Sequence, residues 1–155
     1  MTDMNTKNVI FSSDEFKLKM IPLIREGLTV PLTVSGSSMT PYIVGGRDTV
    51  MISKPSFPLK KGDIAFFERL DGQIVMHRIC RIRDGKYYFV GDAQVEIEGP
   101  IVEEQIFGVV NKIIRKGKPE QKGKFTWFFF RHVWIRMIPL RRTAIKIYEK
   151  FKRKK

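Results

Sequence analysis

The chain has 155 residues, enough for one domain with a modest core. Its single cysteine, Cys80, excludes an internal disulfide, and no Cys/His cluster with the spacing of a zinc site is present, so neither a metal nor another cofactor is expected. The net charge of +13 is concentrated: Lys112 to Lys155 hold 16 Lys/Arg against two acids, which leaves the first 111 residues close to neutral. Such a basic segment suits nucleic acid or an anionic membrane face.

The opening residues, Met1 to Asn8, are polar, and no apolar run of signal-peptide length follows them. No stretch reaches the ~18 uncharged apolar residues of a spanning helix. These features predict a cytoplasmic protein, peripheral at the inner membrane face.

Ser12 and Glu15 are spaced as a capping box and predict a helix start. Phe16, Met20, Leu23, Ile24 and Leu28 then recur at helical spacing and predict a core-facing side. Pro22 is expected to kink or shorten this helix. Six strands are read next, over Val30–Val34, Asp48–Ser53, Asp63–Glu68, Ile74–Arg83, Lys86–Val90 and Ile106–Arg115. Asp71-Gly72 and Asp84-Gly85 are hairpin signals between neighbouring strands. Lys54–Lys61, with Pro55 and Pro58, reads as a loop. Short strands with turn punctuation predict a mainly β fold, a barrel or sandwich with flanking helices.

Residues 1–115 are thus expected to form a β domain with an N-terminal helix, and 116–155 a basic, aromatic helical tail. Lys116–Lys124 reads as a linker. Beyond it, Phe130, Val133, Trp134, Met137, Ala144, Ile147, Tyr148 and Phe151 share one helical side. Arg131, Arg142, Lys146, Lys150 and Arg153 fall on the other. Arg141 and Lys152 break the pattern, and Pro139 is expected to divide the segment into two helices. A helix of this kind suits a membrane interface, but it also suits packing on the β domain. Nucleic-acid binding is the weakest reading, because no nucleic-acid fold motif accompanies the charge.

The candidate chemistry lies in Gly36-Ser37-Ser38-Met39-Thr40-Pro41 and, 39 residues after Ser38, in Val75-Met76-His77-Arg78-Ile79. A serine needs a base to take its proton, and a neutral imidazole does this near pH 7. The first stretch resembles the Gly-x-Ser-Met-x-Pro box of the type I signal peptidases. Lys61-Gly62-Asp63-Ile64 is similar to the Gly-Asp-Ile element that follows that box. The second stretch resembles the His-Arg box of the family's Ser-His branch, the endoplasmic-reticulum and spore-former type. Gly91-Asp92 resembles the last box. The four come in family order over residues 30 to 112.

The resemblance implies a signal-peptidase-like β fold with Ser38 as nucleophile and His77 as general base. An acid should orient His77: Asp92 is favoured on the Gly-Asp box, and Glu96 and Glu98 compete. Backbone N–H groups at the Ser38 turn are expected to form the oxyanion hole. Many bacterial relatives carry a serine hydroxyl two positions before the nucleophile, where this chain has Gly36. Cys80 is expected to be a buried structural thiol on the face opposite His77, and Asp48 and Asp63 to be structural. His132 is read as interfacial.

The expected activity is a serine endopeptidase that cuts a precursor or leader peptide after small residues, without a cofactor. The alternative is a non-catalytic membrane- or nucleic-acid-binding adaptor on a peptidase fold. The related self-cleaving repressors pair serine with lysine behind a DNA-binding domain, for which about 30 residues before Val34 leave no room.

Overall fold

Strand β2 (Asp48–Ser53) shows how the alternating pattern becomes structure: Asp48, Val50 and Ile52 are buried, and the residues between them are half-exposed. The computed structural model describes residues 13–120 and 124–153. Among these are three α-helices and eight strands in one antiparallel sheet. The strands are β1 (Val30–Thr33), β2, β3 (Ile64–Glu68), β4 (Ile74–Arg83), β5 (Lys86–Val90), β6 (Glu98–Ile101), β7 (Ile106–Arg115) and β8 (Lys118–Pro119). Their order is β1-β2-β7-β3-β4-β5-β6, with β8 paired to β7. The protein is therefore mainly β, as the strand pattern predicts.

Both expected hairpins form. At the β3–β4 turn, Gln73 N–H donates to Asp71 Oδ1 and Arg69 N–H to Gln73 O. At the β4–β5 turn, Asp84 and Gly85 both adopt positive φ, the geometry for which Asp-Gly is suited. Two strands went unforeseen. β6 is hidden by its Gly99-Pro100 pair, and two-residue β8 lies inside the stretch read as a linker.

Helix α1 (Ser13–Arg25) continues through Pro22. Its buried side is Phe16, Ile21 and Ile24, whereas Leu23 and Leu28 are exposed. Ile21 therefore takes the place expected of Leu23. The cap residue Ser12 lies outside the described residues.

β3 is apolar on both faces because it is central. Ile64 and Phe66 join a cluster with Phe16, Ile24, Met39, Tyr42 and Phe107. Ala65 and Phe67 join a second cluster with Ile79, Tyr87 and Phe89. Beyond β8 the chain forms α2 (Phe125–Phe128), a π-turn over Phe129–Val133 and a 3-10 turn over Trp134–Arg136. A further 3-10 turn at Ile138–Leu140, containing Pro139, precedes α3 (Arg141–Lys152). Phe130 and Trp134 enter the first cluster, while Ile135 packs on Cys80 and Val90. The first half of the basic segment is thus part of the domain.

Candidate active site

Ser38 sits on a turn between β1 and β2. Two glycines allow its neighbours to come close. A Cβ on Gly45 would lie 2.3 Å from Gly36 O, and one on Gly91 would lie 2.6 Å from Ser38 O. Gly36 itself has φ +84°, a conformation that disfavours side chains. The turn is held by Gly46 N–H donating to Val34 O at 2.8 Å and by Ala93 N–H donating to Ser38 O at 2.9 Å. Ser38 is half-buried and Ser37 exposed.

His77 lies on β4 opposite Ala65 of β3. It is buried, with its ring 6.4 Å from that of Phe67. β5 pairs with β4 only from Arg78 onward, so the β5-side edge of residues 74–77 is unpaired. Ser38 and His77 line one cavity of about 280 Å³ along that edge, walled by Val34, Met39, Ile74 and Met76. No hydrogen bond joins the two side chains, and His77 Nδ1 is buried without a partner. Ser35, Arg69, Gln73 and Gln94 complete the polar lining.

Asp92, the acid favoured on the Gly-Asp box, bonds Arg78, and no hydrogen bond joins it to His77. Asp92 is fully buried, and both its oxygens accept from Arg78, at 2.9 Å from Nε and 2.8 Å from Nη2. Neighbours on an extended strand point to opposite faces, so the carboxylate is bonded on the Arg78 side of β4, although its charge still acts on the imidazole. Arg78 also donates to Gly62 O and lies over the Tyr42 ring, 4.9 Å from its centroid. Glu96 is exposed and accepts from Arg142. Glu98, on β6, accepts from Arg69 Nε and Nη2 at 2.5 and 3.0 Å. It acts on His77 more strongly than Asp92 does.

Burial pushes the His77 imidazole down to about 4; Glu98 opposes the shift, Arg69 reinforces it and Asp92 opposes it. The base form therefore persists well below the ordinary value of 6.5. The folded value lies below the unfolded one, so the unfolded chain binds the extra proton between them. The associated stability is fully present above pH ~6.5 and is lost as pH falls towards ~4, by about 3 kcal/mol. Urea titrations at pH 7.5 and pH 4 should show this loss in the wild type and not in His77→Phe. An equal loss in both would assign the acid sensitivity to other groups.

The other singled-out residues have structural places. Cys80 is buried, with Sγ donating to Tyr88 O at 3.3 Å, and burial raises its pKa. Asp48 is fully buried and accepts from Val44 N–H and Arg47. Asp63 accepts from Lys60 N–H and Arg131. His132 is exposed, its ring 4.7 Å from that of Phe128.

Sequence reasoning missed Arg69 and Gln94 in the cavity lining, and it read Arg141 as a break in an amphipathic pattern. Arg141 in fact has no solvent exposure. No family model, curated protein or solved structure matches the chain.

Proposed function

We propose that the chain is a serine endopeptidase of the signal-peptidase-like, Ser-His type, its sheet being a variant of that family's β fold. The observation that carries this reading is the single cavity shared by Ser38 and a neutral His77 beside an unpaired strand edge. An extended peptide can add to the free edge of residues 74–77 through its main chain. This would bring its carbonyl to Ser38, and the preference for small side chains next to the bond rests on the resemblance. Ser38 Oγ attacks the carbonyl as His77 takes its proton. His77 returns that proton to the leaving amine, and water then releases the acyl group from Ser38. The Ser38 N–H has no carbonyl partner among the described residues and is free to donate to the oxyanion. Glu98 is the acid whose charge favours the imidazolium most, and release from Arg69 would free it to accept from Nδ1.

The test is a mass-spectrometric inventory of peptide termini in cells carrying wild type, Ser38→Ala or His77→Ala. Termini present in wild type and absent from both variants are expected, and they would reveal the substrate. An unchanged inventory from folded variants under conditions that express the precursor would favour the adaptor reading.

For the partner surface we propose an anionic membrane. Among the described residues no helix is long and apolar enough to cross one. α3 nonetheless exposes Ile147, Tyr148 and Phe151 beside Lys146, Lys150 and Arg153. Binding to phosphatidylserine-containing vesicles should exceed binding to neutral vesicles and weaken with salt. Lys146→Glu/Lys150→Glu should reduce it about tenfold or more. Binding to duplex DNA in place of vesicles would overturn the assignment.

A further inference from the structure

The basic segment makes, at the start of α3, a contact that a surface helix does not need. Arg141, the first residue of α3, is fully buried, yet no carboxylate among the described residues bonds it. Its partners are main-chain carbonyls. Nη1 donates to Gly91 O at 2.9 Å and to Gln94 O at 3.1 Å, while Nε and Nη2 donate to Trp134 O. The guanidinium also lies over the Trp134 ring, 5.4 Å from its centroid. Trp134 Nε1 in turn donates to Asp92 O at 2.8 Å. Three of the four residues from Gly91 to Gln94 therefore have their carbonyls held by the C-terminal segment.

The same loop holds the serine turn. Ala93 N–H donates to Ser38 O, and Gly91 packs against that oxygen. Gln94 lines the Ser38–His77 cavity. A continuous path thus runs from α3 through Arg141 and the Gly91–Gln94 loop to the Ser38 main chain. A planar fork with five donors suits several carbonyls at once, which a lysine ammonium cannot reproduce in the same plane.

We propose that Arg141 is a positioning residue that fixes the Ser38 turn through the Gly91–Gln94 loop, so that the C-terminal segment is a working part of the peptidase site. The catalytic half of this statement rests on the peptidase reading above, whereas the clamp itself does not. Misplacing a nucleophile by a fraction of an ångström lowers turnover more than it lowers peptide binding, because the peptide is held by the strand edge.

Two measurements on the full chain separate these parts. The first needs no substrate. Amide exchange of Ala93 should rise about tenfold or more in Arg141→Lys and in Trp134→Phe, while β2 and β7 amides stay within about twofold of wild type. The second uses a peptide identified from the wild-type termini. In Arg141→Lys, kcat should fall about tenfold or more with KM within about twofold. In Arg141→Ala, added methylguanidinium should restore part of kcat. Unchanged Ala93 exchange in both folded variants would overturn the clamp. Increased exchange with unchanged kcat would overturn the positioning role. Increased exchange in a protein whose wild type cuts nothing would leave the clamp supported and sink the peptidase reading alone.

Discussion

Purified Ser38→Ala protein should keep the wild-type melting temperature and lose peptide cleavage by roughly 10⁴-fold or more. Ser38 is half-buried on a turn, and its removed oxygen makes no hydrogen bond to His77 in the free protein. Little folded-state energy therefore depends on it. His77→Ala should cost a similar factor in kcat, since the hydroxyl then lacks its base. The informative variant is the double substitution. Two groups that act as one unit lose their function once, so Ser38→Ala/His77→Ala should be no slower than the worse single variant. Multiplicative losses would show that the residues act independently and would remove the pair as a catalytic unit. The comparison is made on kcat with the folded fraction measured beside it, because His77 is buried and its truncation leaves a cavity next to Phe67.

Asp92→Ala should be the most damaging single substitution for stability, by about 3–5 kcal/mol. Asp92 and Arg78 are 0% and 3% exposed and share two hydrogen bonds, at 2.9 and 2.8 Å. Removing the carboxylate leaves a permanently charged guanidinium against the Tyr42 ring with, among the described residues, only the Gly62 carbonyl as acceptor. Arginine cannot shed its proton to escape that cost. For a chain of this size the change corresponds to a fall in Tm of about 10 °C or more. Arg78→Met/Asp92→Leu, which removes both charges, should be clearly more stable than Asp92→Ala. Urea unfolding of wild type, Arg78→Met, Asp92→Leu and the double variant closes the cycle and measures the coupling. A loss under about 1 kcal/mol in Asp92→Ala would show that Arg78 finds another partner and that the pair is not a keystone of the fold.

Periodicity was sufficient wherever one strand face is buried and a turn residue has a distinctive conformation. β2, β4, β5 and β7 have the predicted limits, and the Asp71-Gly72 and Asp84-Gly85 turns lie where the dipeptides placed them. Cys80 was readable as a buried thiol because three residues along a strand reverse the face. The pattern failed where local preference and burial part company. Gly99-Pro100 hides β6, a strand held by its pairing with β5. In α1, Ile21 is buried and Leu23 exposed, although both are apolar and close together.

The residue types for the proposed chemistry, and their order along the chain, could be read without coordinates: a serine turn, a lone histidine on a strand and a later acid. The partner of the favoured acid Asp92 could not, because a carboxylate bonds the nearest well-oriented donor in space. On β4 that donor is Arg78, one residue from His77 and on the opposite face. The tail divides in the same way. Its charge and its amphipathic pattern are properties of the linear chain. Whether an aromatic helix packs inward or faces outward depends on the shape of the surface it meets. Phe130 and Trp134 found a matching face and are buried, while Ile147, Tyr148 and Phe151 of α3 did not and remain exposed. Arg141 shows the limit most clearly. In a linear pattern it is a misplaced charge, and only three-dimensional packing brings the carbonyls of Gly91, Gln94 and Trp134 within reach of one guanidinium.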